Sequence, residues 1–196
     1  GVRGIGLLES IHKLISQIIN LRMAASINFC SEVHGFQKER GTYMAIGETK
    51  IKMQMAVVAS ETVYKIFLDL RKAYDSIDRK RVLKLMEKYG VGKNIRRYVD
   101  KVWDNQFFML CQAGFYSEPV DVERGCAQVD TDSPIIFNLI IDAVIRTWKG
   151  SGEWNRSWAC FCADNGLIEH TDPKSLQSDL DIWLNYSREW DYRQMS

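Results

Sequence analysis

The stretch WACFCADNGLIEH, residues 158–170, constrains the fold more than any other. Trp158 to Cys162 is a short, mostly apolar run suited to a buried strand, and Asn165-Gly166 is among the strongest short hairpin signals. With Asp164 at the bend, the segment reads as strand, tight turn and strand, so two neighbours of a sheet must be antiparallel here. Asp and Asn suit such turns because their side chains bond the local backbone, and Gly tolerates positive φ. On this stretch alone Asp164 is either an ordinary turn residue or a metal ligand at a hairpin tip.

The rest of the chain alternates helices and strands. Residues 7–23 carry Leu7, Leu8, Ile11, Leu14, Ile15, Ile18, Ile19 and Leu21 at helical spacing. HGFQKERGTY (34–43) is polar, basic and glycine-punctuated, a loop, and a helix is expected over about 43–58. KIFLDL (65–70) is a β-rich run. Asp78 caps an expected helix through Val82, Leu83, Leu85, Met86 and Tyr89, with Gly90 ending it. A second starts at Lys93 and holds Ile95, Tyr98, Val99, Val102 and Trp103. Short strands are expected at 107–113 and 118–123. Ser133-Pro134 opens the most apolar helix, with Ser as cap, Pro at the first helical position and Gly150 just beyond its end. Asp172-Pro173 starts a last amphipathic helix through Leu176, Leu180, Trp183 and Leu184. Without a βαβ rhythm, the fold class is α+β.

Composition removes several functions. With 196 residues and 46% hydrophobic content, the chain can bury a core as one domain or two small lobes. No apolar run reaches the roughly 18 residues of a membrane span. The sequence begins without Met and shows no secretion signal, so it reads as the interior of a longer, intracellular protein of the cytoplasm or nucleus. Five Cys without a CxxC pair indicate neither a disulfide framework nor a zinc site. The three scattered His suggest no catalytic role. The net charge of +1 conceals an asymmetry, eleven Lys/Arg against four Asp/Glu over 71–101 and three against seven over 164–196. The basic segment, interleaved with Tyr89, Tyr98 and Trp103, suits a phosphate backbone, or else forms the solvated faces of two helices.

Asp69 has a setting like that of Asp164: it ends a hydrophobic strand, and a sheet end can hold a charge near solvent. Two such carboxylates on adjacent strands, 95 residues apart, could hold paired Mg²⁺ for in-line phosphoryl transfer. The residues alone do not bring them together.

FLDLRKAYDSID, RGCAQVDTDSPIIFN and FCADNGLI, in this order, resemble the three central motifs of reverse transcriptases. HGFQKERGT resembles the fingers motif before them, and RGIGLLESIHKLISQIINLRM the start of that domain in non-LTR retroelements and group II introns. The resemblance implies right-hand polymerase fingers and palm, with an antiparallel palm sheet packed on helices. Residues 1–62 and 79–124 would be partial fingers, 63–78 and 125–196 palm, with no segment for the thumb. It implies that Asp69 and Asp164 bind Mg²⁺ (or Mn²⁺), with Asn165 beside them in the catalytic hairpin. Tyr74 would lie under the sugar and reject a 2′-hydroxyl, and Gln128 would sit beside the incoming nucleotide and template. Arg40, then Lys38 and Arg3, would face the triphosphate, where a guanidinium grips phosphate with paired hydrogen bonds. The implied partners are an RNA template, a DNA primer and a dNTP.

Three residues depart from the family pattern. Asn165 stands where a second aspartate is usual, Cys162 where an aromatic is usual, and Val129 where a glycine follows the glutamine. Asn165 loses a negative charge that hard Mg²⁺ prefers, and a β-branched residue suits neither close backbone approach nor unusual φ. Each is one nucleotide from the expected residue, as in a decaying retroelement copy. The expected function is therefore RNA-directed DNA polymerisation by two-metal nucleotidyl transfer. The alternative is an inactive remnant that at most binds nucleic acid. A two-metal nuclease or phosphatase would need more acids than Glu169, with His170, on the outgoing strand.

Overall fold

The computed structural model describes residues 10–70, 74–126, 131–152, 154–155 and 157–188. In chain order these form helix α1 (Ser10–Ser26), α2 (Thr42–Ala59), strand β1 (Tyr64–Asp69), α3 (Arg79–Lys88) and α4 (Lys93–Asp104). Four two-residue strands follow, β2 (Phe107–Phe108), β3 (Cys111–Gln112), β4 (Phe115–Tyr116) and β5 (Val120–Asp121). The chain continues through α5 (Ser133–Gly150), β6 (Trp158–Cys162), β7 (Asn165–His170) and α6 (Pro173–Arg188). The architecture is α+β, as expected. No described helix is long and apolar enough to cross a membrane.

The main sheet has the order β1-β7-β6 and is antiparallel throughout. On the outer side of β6, Glu32 to His34 run parallel to it: His34 N–H donates to Phe161 O and Phe161 N–H to Glu32 O, both at 2.7 Å. This pairing protects an edge that would otherwise offer unpaired backbone groups.

Beneath the sheet, α5 is buried continuously from Ile135 through Asp142. An aromatic stack ties it to the sheet. Trp148 meets Trp183 of α6 edge-on at 6.1 Å, and Trp183 stacks on Phe161 of β6 at 4.5 Å. Gly166 makes room for that stack, since a Cβ there would lie 2.5 Å from the Phe161 ring. The one acid inside α5, Asp142, is fully buried and accepts from Cys30 N–H at 2.6 Å, Arg146 Nε at 2.6 Å and the Tyr89 hydroxyl. A buried carboxylate survives only when so satisfied. Burial and the hydrogen bond to Asp142 push the Tyr89 phenol far above its ordinary range.

Local signals set most boundaries. Asp78 caps α3 by accepting from Arg81 N–H at 3.1 Å. Asp172 accepts from Ser175 N–H at 2.9 Å at the start of α6. Three expectations need correction. Asp164 is at the hairpin bend as expected, but the turn is Ala163-Asp164, and Asn165-Gly166 already belong to β7. Ala163 takes the left-handed conformation (φ 55) that the sequence signal assigned to the Asn-Gly pair. At α5 the capping position falls on Asp132 rather than Ser133, and Gly150 is the last helical residue. The strands at 107–113 and 118–123 shrink to two small ribbons, β2-β5 and β3-β4, because their residues are exposed on both sides and no core extends them.

Candidate active site

The register of the sheet brings the two aspartates together. Asp69, the last residue of β1, lies opposite Asn165, the first of β7, and Asn165 lies opposite Cys162 of β6. Directly opposed residues share a face, so Asp69, Asn165 and Cys162 form one row across the end of the sheet. Asp164 precedes Asn165 in the turn, and Leu70 N–H donates to its carbonyl at 2.9 Å, extending the ladder beyond Asp69. Asp69 and Asn165 are exposed, and Asp164 is half-buried. The Asn165 amide donates to Asp164 Oδ1 at 3.1 Å. One hydrogen bond thus stands where two like charges would repel.

Tyr74 sits close by. Its ring packs on Phe137 of α5 at 5.1 Å, and burial first, then Cys126 and Asp164, push its phenol up to about 12. The segment leading to the second motif lies on the same turn. Gly125 N–H donates to Ile77 O at 2.9 Å and Cys126 N–H to Tyr74 O at 3.0 Å. Gly125 has φ +80, and a Cβ on it would come within 2.8 Å of Tyr74 O, so both conformation and space require glycine. Gln128, Val129 and Arg3 lie outside the described residues.

The loop 34–41 packs on the hairpin from the other side. A Cβ on Gly35 would stand 2.7 Å from Ala163 N, so the two backbones touch directly. Asn138 of α5 holds that point by donating to Gly35 O at 2.6 Å. Thr42 Oγ1 lies 3.5 Å from Cys162 Sγ. His34 is buried between Glu48, at 3.1 Å, and Cys160, at 3.6 Å. Burial, with Glu48 adding to it, pushes the Cys160 thiol up to about 12, so it stays protonated. Arg40 Nη1 donates to Ser31 O at 2.9 Å and Val33 O at 3.3 Å, which fastens the loop. Lys38 is exposed at the loop tip, 3.9 Å from the equally exposed Glu39.

Sequence reasoning did not find Gly35 and Asn138. Asn138 had a signal, a polar residue inside the most apolar helix; Gly35 had none beyond being glycine.

Among the described residues, no three His, Cys, Asp or Glu side chains cluster as a metal cage. Two carboxylates and one carboxamide at a sheet end nevertheless fit Mg²⁺, which takes one or two carboxylates and completes its shell with water and substrate phosphates.

An antiparallel sheet that rests on helices, with Asp69 at one strand end and Asp164 in the adjoining turn, is a polymerase-like arrangement. The sequence profile described as reverse transcriptase (RNA-dependent DNA polymerase) matches residues 1–194, and the chain belongs to that family. It is 27% identical over 177 residues to the retrovirus-related Pol polyprotein from type-2 retrotransposable element R2DM of Drosophila melanogaster, covering 88% of this chain and 17% of that protein. It is 21% identical over 180 residues to the Pol polyprotein of a type-1 retrotransposable element R2 of Popillia japonica, covering 87% and 25%. The chain thus spans a quarter or less of these relatives. Among solved structures, an apo telomerase of Candida tropicalis matches with TM-score 0.64 at 11% identity, over 92% of this chain and 38% of that one. That likeness shows the fold.

Proposed function

We propose that the chain is the fingers-and-palm portion of a retroelement reverse transcriptase, extending a DNA primer on an RNA template. Residues 1–62 and 79–124 are assigned to partial fingers, 63–78 and 125–196 to palm. The observation that carries this reading is the pairing of Asp69 with Asn165, which sets Asp69 at the same sheet end as the hairpin of Asp164. In the reaction the primer 3′-hydroxyl attacks the α-phosphate of a deoxynucleotide, the α–β anhydride bond breaks and pyrophosphate leaves. Divalent Mg²⁺, when held by Asp69 and Asp164, supplies charge neutralisation at the phosphates. Tyr74, wedged on Phe137, presents a fixed wall to the sugar at C2′. Gln128 is assigned to the nucleotide and template, and Lys38 to the triphosphate. Arg40 joins them after exchanging its loop carbonyls for phosphate oxygens.

A second reading has its own observation. The Asn165 amide, bonded to Asp164, leaves the hairpin one negative charge short, as in an inactive remnant. Primer extension on an RNA template with Mg²⁺, then Mn²⁺, separates the two. The natural chain is compared with Asp69→Ala and with a triple variant carrying Val129→Gly, Cys162→Tyr and Asn165→Asp. Extension by the natural chain that Asp69→Ala abolishes establishes the polymerase. Extension only by the triple variant locates the loss in those three residues. Silence from both rejects polymerisation by this segment.

A further inference from the structure

Helix α1 has two apolar faces, and the fold uses one of them. Ser16, Ile19 and Met23 are buried, on the side that packs on α5. Ile11, Leu14, Ile18 and Leu21 are instead 72%, 59%, 45% and 65% exposed. A single exposed Leu or Ile is ordinary, but a continuous row of them is not. The steps between these four are three, four and three residues, and the spacing in the sequence reaches back four more to Leu7. That is the alternation of a and d positions in a heptad, whose mean of about 3.5 residues keeps one seam facing a partner helix. With Ile11 and Ile18 at a, and Leu14 and Leu21 at d, the buried residues fall at b (Ile19) and f (Ser16, Met23). Every described residue of α1 at a, d, e or g is exposed. The seam therefore points away from the core, and pairing along it leaves the face on α5 untouched.

Residue identity selects the occupant. β-branched Ile at a with Leu at d favours two parallel strands. In a parallel, in-register pair each seam residue meets its own counterpart, so the seam is complementary to itself, as a two-fold interface must be. Charge agrees with this choice. At the e and g positions stand Ser10, Ile15, Gln17, Arg22 and Ala24, and Arg22 alone carries a charge. In a parallel pair it faces Gln17 of the second copy, a hydrogen-bond acceptor rather than a like charge. Because α1 is already folded on α5, association does not have to nucleate a helix. The exposed apolar residues of α2 form no such seam; they are spread around that helix.

We propose that α1 is a dimerisation helix: two copies of this chain pair through Ile11, Leu14, Ile18 and Leu21 as a short, parallel, in-register coiled coil. The pairing does not depend on the two aspartates or on polymerase activity.

The test is sedimentation equilibrium of the full chain over a concentration series. Dimerisation follows mass action, so the mean mass should climb from 22.7 kDa toward twice that value. Leu14→Lys and Ile18→Lys each set a charge in the seam against its own counterpart and should hold the mass at one protomer throughout. Met53→Lys and Val58→Lys, at exposed apolar positions of α2, should associate as the natural chain does. Orientation is read in a Cys111→Ser background, which removes the exposed native thiol. There Leu14→Cys should crosslink to its counterpart in oxidised glutathione, and Lys13→Cys, at a c position outside the seam, should not. In melts at dilution, where protomers are apart, Leu14→Lys should keep the natural midpoint, because the seam lies off the core face. A single-protomer mass at every concentration overturns the proposal and leaves the seam to another segment or another protein. Mass beyond two protomers, equal association of the seam and α2 variants, crosslinking at position 13 rather than 14, or a lowered midpoint for dilute Leu14→Lys overturns it as well.

Discussion

The sheet with α5 and α6, and the flanking α1, α2 and small ribbons, treat apolar residues in opposite ways. In the first region Phe161, Ile168, Trp148 and Trp183 are each at most 1% exposed. In the second, Leu14 is 59% exposed, Val58 87%, Leu110 78% and Phe115 81%. Both regions have comparable helical or strand signals, so secondary structure does not separate them. What separates them is whether a second layer covers the apolar face. Asp69 and Asp164 stand at the end of the sheet this core supports, although the face of β1 that Asp69 shares with Phe67, itself 78% exposed, is uncovered.

The contrast can be broken most forcefully at Trp183. Trp183→Ala removes the ring between Trp148 and Phe161 and should cost about 3–5 kcal/mol in a denaturant melt. Gly35→Val should follow, because the loop must lift off Ala163; limited proteolysis should cut within 34–41 faster than in the natural chain. Tyr89→Phe leaves the buried Asp142 carboxylate short of a donor and should cost about 1–3 kcal/mol by the same melt. A smaller effect concerns pH. The Tyr74 phenol is held above its unfolded value, so its contribution is full below pH about 10 and is lost as pH rises toward about 12. Stability of Tyr74→Phe should fall less over that alkaline window than stability of the natural chain. The smallest change is expected in the uncovered region, where Leu14→Lys should stay within about 0.5 kcal/mol. A large loss there would mean that α1 is covered in solution, and the comparison would need redrawing.

What the sequence could and could not reveal follows the same division between local and distant causes. Helix α3 was legible because Asp78 caps it and Val82, Leu85 and Met86 recur at helical spacing. The hairpin at 158–170 was legible as a hairpin. Asp164 stands at the bend as read, but the Asn-Gly pair lies in β7, because Gly166 answers to the Phe161 ring, a steric demand from packing, while Ala163 accepts positive φ in the turn. The meeting of Asp69 with Asp164 spans 95 residues and came only through the family resemblance; strand alternation alone left them unrelated. Gly35 against Ala163 is a contact between backbones, and nothing in residue type announces it.

The touch of Gly35 on Ala163 has a consequence for how substitutions act in this corner of the molecule. The tip of the hairpin is gripped through main-chain atoms and a glycine, with Asn138 behind them. Replacements at positions 162 and 165 leave these main-chain contacts in place and change only the side-chain contacts of Cys162 with Thr42 and of Asn165 with Asp164. The position of Asp164 is therefore set chiefly by main-chain packing, and side chains around it can change while the turn keeps its place.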